Sequence, residues 1–164
     1  MLRITLTHYF LIHLSDSKVK IYFAGAISAG RELQPIYQAM VDFIHEHGGE
    51  VLSAHVAKAE VLTGESTLTD SQIFSRNLKF ITDSDGLVAE VTKPSLGVGF
   101  EIAEALRRNK PAICFCQRGT FLTRMLTGNP AANLSIHFYE HQQWQTPLED
   151  FLQALRKAQR PCSC

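Results

Sequence analysis

The sequence predicts a single α/β domain in which helices cover both faces of a mainly parallel, five-stranded sheet. Short and nearly continuous apolar runs recur along the chain, which is typical of strands that are buried on both faces. Between these runs, apolar residues recur three and four positions apart, as on amphipathic helices. Strands that alternate with helices form parallel sheets of the Rossmann or flavodoxin type.

Length and composition limit the function classes. The chain has 164 residues, of which 45% are hydrophobic, so one domain with a sizeable core is expected. Sixteen basic and sixteen acidic residues give a formal net charge of zero, whereas nucleic-acid-binding domains usually carry a basic excess. No apolar run reaches the about 20 residues that a membrane helix needs. We therefore expect a small-molecule ligand, with neither nucleic acid nor a membrane as a partner.

The first half of the chain opens with an apolar segment, residues 1–17, which is predicted to be an extension outside the α/β domain of residues 18–158. The first strand is predicted over residues 18–24, and a loop of small residues then leads into a helix. A second strand is predicted over residues 51–56, with His55 near its end. The first helix should bury an apolar face, formed by Leu33, Ile36, Tyr37, Met40, Val41 and Ile44.

The second half repeats the strand-and-helix pattern. Helices are predicted over residues 71–82 and 147–158, the latter followed by a tail at 159–164. The third, fourth and fifth strands are predicted over residues 87–91, 112–116 and 136–139, in that order. The inward faces of the two helices should be Ile73, Phe74, Leu78 and Ile81, and Leu148, Phe151, Leu152 and Leu155.

Residues 85–101 are the stretch around which the chain is organised. The third strand ends at a turn, Lys93-Pro94-Ser95, and a glycine-spaced loop, residues 97–99, precedes a helix with Glu101 in its first turn. Backbone N–H groups at such a helix start point at a ligand, and open α/β sheets bind substrates at this edge. Alternatively, Glu101 is a helix-dipole partner that contributes about 0.3–1 kcal/mol.

The four cysteines suggest neither a disulfide set nor a zinc site. Cys114 and Cys116 lie in an apolar strand and are predicted to be buried thiols, whereas Cys162 and Cys164 end a polar tail. Cys-x-Cys without a suitably placed histidine is weak as a metal motif. We expect no metal, and a reducing, cytoplasmic setting, or a nuclear one in a eukaryotic cell.

Three segments carry a family resemblance: residues 21–25 (Ile-Tyr-Phe-Ala-Gly), 54–57 (Ala-His-Val-Ala) and above all 89–101, which contains Pro-Ser-Leu-Gly-Val-Gly-Phe-Glu. Together they resemble the 2'-deoxynucleoside 5'-phosphate N-hydrolases of the nucleoside 2-deoxyribosyltransferase-like superfamily. The resemblance implies a deoxyribosyltransferase-like fold and hydrolysis of the N-glycosidic bond of 2'-deoxynucleoside 5'-monophosphates. The products would be a free base and 2-deoxyribose 5-phosphate, and no metal or organic cofactor is implied.

The resemblance assigns roles to five side chains. Glu101 would be the nucleophile that captures the positive sugar centre as the base departs, and Tyr22 would orient it. His55 matches a substrate contact, Ser95 a phosphate contact, and Arg31 the arginine that closes the first loop. Each also has a structural interpretation: core packing for Tyr22 and His55, turn formation for Ser95, and an exposed helix start for Arg31. The other substrate-binding positions implied are Gly25, Ala26, Ile27, Ser28, Ala29, Gly30, Gly97 and Gly99.

Three departures from the family pattern bear on the substrate. Ser28 stands where the family has a phosphate-binding arginine. Asn77 stands where it has an acid, and an amide cannot donate a proton in the same way, so we assign Asn77 a sugar or base contact. Thr123, Arg124 and Met125 replace a Ser-Ala-Met that reaches the neighbouring subunit's site. Arg124 could supply charge to the partner's phosphate pocket, unless it is an ordinary surface arginine.

Two other functions stay open. A nucleoside 2-deoxyribosyltransferase would use the same covalent intermediate, and loss of the loop arginine would suit an uncharged nucleoside. A nucleotide-binding module without turnover is favoured by Asn77 and Ser28. For any of these, the resemblance implies a homodimer with a shared active site.

Overall fold

Five parallel strands form one sheet in the computed structural model, which describes residues 18–27, 30, 32–58 and 67–160. The strand order is β2-β1-β3-β4-β5, and every neighbouring pair is parallel. The chain therefore reverses its direction of travel across the sheet between β1 and β3, which creates a crevice at the carboxyl ends of these two strands. The strands are β1 (Lys20–Gly25), β2 (Glu50–Val51), β3 (Gly86–Glu90), β4 (Ala112–Gln117) and β5 (Leu134–Tyr139).

Helices cover both faces of the sheet, as predicted. They are α1 (Gln34–Glu46), α2 (Asp70–Asp83), α3 (Leu96–Arg107), α4 (Arg124–Thr127) and α5 (Gln145–Gln159). Helices α1 and α5 pack on one face, and α2 and α3 pack on the other. No helix among the described residues is both long and apolar enough to cross a membrane.

The alternation of side chains along β1 decides which residues meet each helix layer. Ile21 and Phe23 join the core beneath α1 and α5, whereas Tyr22 and Ala24 join the core beneath α2 and α3. Successive side chains of a strand point to opposite faces, so Tyr22 is directed at α3. Cys114 and Cys116 are buried on that same side as free thiols, as predicted.

The second strand is shorter than predicted. Pairing with β1 ends at Val51, and residues Ala54–Ala57 form a 3-10 helix instead of strand. Buried Ser53 replaces the lost pairing, because its hydroxyl accepts from the Phe23 N–H and donates to the Phe23 carbonyl, both at 2.7 Å. A side chain thus satisfies backbone groups that strand pairing would otherwise satisfy.

Helix α3 starts earlier than predicted, and the glycine-spaced segment is helical. Ser95 caps the helix, since its hydroxyl accepts from the Val98 N–H, and Gly97 and Gly99 lie in the first turn. Glu101 therefore lies in the second turn, which corrects the prediction of a first-turn carboxylate. A dipole effect falls off within the first turn, so the helix-dipole interpretation of Glu101 loses its basis.

Smaller differences concern the ends and faces of helices. Helix α5 extends through Gln159, so the predicted tail starts one residue too early; residues 161–164 and the predicted extension, residues 1–17, lie outside the described residues.

On α2, Ile81 is buried but Phe74 is 52% exposed, which contradicts its predicted inward orientation. The Phe74 ring instead lies 6.0 Å from the ring of Phe100 on α3, which is also 52% exposed.

Gly25 ends β1 against the ring of Tyr37. A Cβ added at Gly25 would lie 2.9 Å from Tyr37 Cε2, and Tyr37 is itself buried. We expect Gly25→Ala to lower the free energy of unfolding by about 1–3 kcal/mol through overpacking, measured by urea denaturation. Gly99→Ala is the matched control, because an added Cβ there would meet nothing within 4 Å beyond its chain neighbours and the backbone of α3, and alanine is the better helix former. Equal effects of the two substitutions would contradict this explanation.

Candidate active site

A hydrogen bond between β1 and α3 forms the centre of the candidate site. The Tyr22 hydroxyl donates to Glu101 Oε1 at 2.7 Å. Tyr22 lies in the middle of β1 and is only 1% exposed. Glu101 is partly buried. The side chain predicted to orient the nucleophile therefore contacts the carboxylate predicted to be the nucleophile.

The start of α3 lies beside this pair and presents backbone N–H groups. The first four N–H groups of a helix have no partner within the helix, and Ser95 caps one of them. Gly97 and Gly99 are exposed there. Glycine in a helix costs about 1 kcal/mol relative to alanine, and no packing contact within the described chain requires Gly99. Its surface is open to the approach of another molecule.

Asn77 lies on the side of α2 that approaches α3. Phe74, three residues earlier, contacts Phe100 on α3, and Ile81, four residues later, joins the core that contains Tyr22; residues three and four apart share a helix face. Asn77 is partly buried, and its amide oxygen accepts from Arg76 Nε at 3.2 Å. The structure thus places Asn77 on the helix layer that carries Glu101.

His55 is on the 3-10 helix that follows β2, not at the end of a strand as predicted. It is partly buried, and its ring centroid lies 6.3 Å from that of Phe80 on α2. This packing is compatible with the structural interpretation as well as with a substrate contact.

The first loop is described in part. Gly25 ends β1, Ala26 is fully buried, Ile27 packs on the core beneath α1, and Gly30 has a positive φ of 101° that favours glycine. Ser28, Ala29 and Arg31 lie outside the described residues, and their predicted roles remain predictions.

The three residues predicted to reach a partner subunit lie at the start of α4. Thr123, Arg124 and Met125 are all exposed, and the Thr123 hydroxyl caps the helix by accepting from the Met125 N–H at 3.3 Å. Met125 is 81% exposed.

A groove of about 390 Å³ runs between α3 and the segment that leads into α4. Its wall is mostly apolar, and Lys93, Ser95 and Thr123 are its polar members beside Asn129. Neither Glu101 nor Tyr22 lines it, so the groove does not contain the candidate catalytic pair. The apolar lining residues are Val91, Pro94, Val98, Gly99, Ile102, Ala103, Leu106, Phe121, Leu122, Met125 and Leu126.

Sequence analysis missed a buried polar cluster at the ends of β3, β4 and β5. Glu90 is fully buried and accepts hydrogen bonds from the Thr92 hydroxyl, the Thr92 N–H at 3.3 Å and the Tyr139 hydroxyl at 3.0 Å. The Thr92 hydroxyl also accepts from the Gln117 N–H at 2.8 Å. This cluster fixes the chain segment between β3 and Ser95. A charged residue within an otherwise apolar strand is the signal that could have revealed it.

Burial raises the pKa of Glu90, although hydrogen bonds from Thr92 and Tyr139 oppose the shift. Burial likewise raises the pKa of the Cys114 thiol to about 12, which keeps it protonated and unreactive. Among the described residues, no group of three or more His, Cys, Asp or Glu side chains could hold a metal ion.

Comparison with known proteins matches residues 21–146 to the family model for nucleoside 2-deoxyribosyltransferase. A Methanococcoides burtonii protein provisionally named 2'-deoxynucleoside 5'-phosphate N-hydrolase 1 is 39% identical over 121 residues, which are 74% of this chain and 99% of that protein. A 5-hydroxymethyl-dUMP N-hydrolase from Danio rerio is 36% identical over 143 residues, 85% of this chain and 99% of that protein.

Among solved structures, a CMP N-glycosidase from Clostridium botulinum shares the fold. It superimposes with a TM-score of 0.54 and 19% sequence identity, covering 83% of this chain and 97% of that one. At this level of identity the match supports the architecture and not the chemistry.

The raised pKa of Glu90 predicts a pH dependence of stability. The folded state binds the proton of the Glu90 carboxyl group more tightly than the unfolded state does. The contribution of Glu90 to stability is therefore greatest in acid and declines as pH rises above about 4.5. We expect Glu90→Gln to remove that decline, measured as the difference in free energy of unfolding between wild type and variant across a pH series.

Glu104→Gln is the control for this measurement. Hydrogen bonding and charge from Arg107 and Arg108 lower the pKa of Glu104 to about 2. Its contribution is therefore present above about pH 4.5 and is lost as pH falls towards 2, on the opposite side of the window. If the difference in free energy of unfolding between wild type and Glu90→Gln did not change with pH, the raised pKa of Glu90 would be contradicted.

Proposed function

The chain belongs to the nucleoside 2-deoxyribosyltransferase family, and from this premise we propose that it hydrolyses the N-glycosidic bond of 2'-deoxynucleoside 5'-monophosphates. The products are the free base and 2-deoxyribose 5-phosphate. The single observation that carries the proposal is the 2.7 Å hydrogen bond from Tyr22 to Glu101. The names of the relatives, N-hydrolases of deoxynucleotides, point to the same bond and substrate class.

In the proposed reaction, Glu101 attacks C1' of the deoxyribose. The bond from C1' to the base nitrogen breaks, its electron pair leaves with the base, and an ester forms between Glu101 and C1'. Water then attacks C1', releases the Glu101 carboxylate and gives up a proton, while the departed base gains one. The buried Tyr22 hydroxyl fixes the orientation of the carboxylate before attack.

Asn77 shapes the first step of this reaction. An amide donates a hydrogen bond but cannot give up a proton at neutral pH, so it can contact the sugar or the base without acting as a general acid. The proton that the leaving base requires then comes from solvent. Cleavage should be fastest for bases that leave readily without protonation.

The family description suggests a transferase as the second candidate. A deoxyribosyltransferase would form the same ester and transfer the sugar to a second base instead of water. Incubation with a deoxynucleoside and a different free base separates the two: a new nucleoside indicates transfer, and free deoxyribose indicates hydrolysis.

We further propose a homodimer with shared active sites. Large apolar side chains are exposed around the groove and the adjoining face of α2 and α3, which is unusual for a monomer. A second copy of the chain would cover them and bring Thr123, Arg124 and Met125 towards its partner's site. The exposed residues are Phe74, Leu96, Phe100, Phe121 and Met125.

Base release from a panel of deoxynucleosides and their 5'-monophosphates tests the hydrolase proposal. We expect Glu101→Ala to reduce the rate at least about a thousandfold, or about 4 kcal/mol of transition-state stabilisation. Glu104→Ala, one turn further along α3, is the matched control and should retain activity. If Glu101→Ala matched wild type, the nucleophile would be another group; binding of deoxynucleotides without any base release would favour the binding module.

Arg124 gives a test of the shared site. We expect Arg124→Ala to raise the KM for a monophosphate far more than the KM for the matching nucleoside, because only the former carries the charge that Arg124 would contact. Arg118→Ala, which removes an exposed arginine paired with Glu140, should affect both equally and weakly. Equal changes with Arg124→Ala would reject the role.

Subunit mixing shows whether Arg124 acts across the dimer. A mixed dimer of the Glu101→Ala and Arg124→Ala chains contains one site with both wild-type residues if Arg124 acts in the partner's site. Mixing the two variants should then restore monophosphate hydrolysis above that of either alone. Absence of restoration in a confirmed mixed dimer would place Arg124 outside the partner's site.

A further inference from the structure

The Glu32 carboxylate, on the segment between β1 and α1, forms an ion pair with Lys93, which follows β3. Its Oε2 lies 3.6 Å from Lys93 Nζ, and the side chain folds back over Gly30, 2.5 Å from where a Cβ would be. A hydrogen bond from its own backbone N–H, followed by the charge of Lys93, lowers the pKa of Glu32. An amide N–H and an ammonium group are the donors that commonly bind phosphate.

The position of this ion pair relates it to the candidate site. Lys93 follows β3 by three residues, precedes the helix cap Ser95 by two, and shares the lining of the groove with Ser95. Glu32 lies on the segment that connects β1 to α1. The pair therefore spans the point where the chain reverses direction across the sheet, which is where open α/β folds bind ligands.

The pair is weak enough to be exchanged. The side chains of Lys93 and Glu32 are 39% and 69% exposed, and exposed ion pairs contribute little to stability. A phosphate monoester carries about 1.5 to 2 negative charges at neutral pH and has three acceptor oxygens. It therefore attracts the same ammonium and amide groups more strongly than a single carboxylate does.

We propose that Lys93 and the Glu32 backbone N–H bind the 5'-phosphate of the substrate, and that the Glu32 carboxylate holds their place until the phosphate displaces it. The inference rests on the proposed function only for the identity of the molecule that carries the phosphate. It assigns discrimination between nucleotide and nucleoside to Lys93, in a sequence that has Ser28 where the family has a phosphate-binding arginine.

Binding of 2-deoxyribose 5-phosphate and of 2-deoxyribose, measured by titration calorimetry or NMR, tests the proposal without any turnover or choice of base. We expect Lys93→Gln to weaken binding of the phosphate about tenfold or more. Glu32→Gln should strengthen it several-fold, because the competing charge is removed while the backbone N–H remains. Neither variant should change binding of the uncharged sugar.

The opposite effects expected of Lys93→Gln and Glu32→Gln on phosphate binding distinguish a phosphate site from a structural ion pair. If the pair only fastened two loops together, breaking it from either end would weaken binding, and that result would overturn the proposal, as would no effect from either variant. Lys79→Gln and Asp83→Asn are the matched controls: they break an exposed 2.6 Å pair on α2 with the same changes in net charge. Equal effects from these controls would reduce the result to long-range electrostatics and also overturn it.

Failure of this inference and failure of the proposed function give different results. If Lys93→Gln weakened and Glu32→Gln strengthened binding of the sugar phosphate, but no deoxynucleotide released its base, the phosphate site would be retained and the hydrolase rejected. Base release by wild type, with the KM for monophosphates unchanged in Lys93→Gln and Glu32→Gln, would retain the hydrolase and reject the phosphate site.

Discussion

One hydrogen bond connects the sheet to the proposed nucleophile: the Tyr22 hydroxyl donates to the Glu101 carboxylate. Tyr22 lies in β1, which has β2 on one side and β3 on the other, and its side chain is buried beneath α2 and α3. A carboxylate on a helix surface would otherwise sample several rotamers, and the proposed attack on one carbon atom would then cost more entropy. The buried phenol removes that freedom and places Glu101 against a rigid support.

Around this bond, the fold combines buried hydrogen bonds with solvent-exposed ion pairs. The cluster of Glu90, Thr92 and Tyr139 is buried and links the carboxyl ends of three strands, so the segment leading to Ser95 has little freedom. Lys93, the residue after Thr92, forms a solvent-exposed pair with Glu32. Buried hydrogen bonds are costly to break, whereas exposed ion pairs are easily replaced. The proposed phosphate site would use both kinds: a rigid support and a pair that an anion can displace.

Much of the fold could be predicted from local patterns. The apolar runs and helical spacing gave the five strands, the parallel sheet and the apolar faces of α1 and α5, because burial on one or both faces imposes a periodicity on the residues themselves. The segment after β2 could not be predicted this way. The sequence from Val51 to Val56 looks like strand, but the Ser53 side chain bonds the Phe23 backbone in place of strand pairing. The start of α3 was misplaced for a similar reason, since glycines favour loops in isolation yet are helical here behind the Ser95 cap.

The sequence by itself determined the sheet layers, the family resemblance and the presence of a glutamate beside a glycine-spaced helix start, because these are properties of neighbouring residues. Only the tertiary structure decided what each side chain meets. Tyr22 and Glu101 are 79 positions apart in the chain. Lys93 and Glu32 lie on two different connecting segments, after β3 and after β1, and form an ion pair. Such contacts depend on strand order and register, which bring distant residues together at one edge of the sheet and leave no trace in local composition.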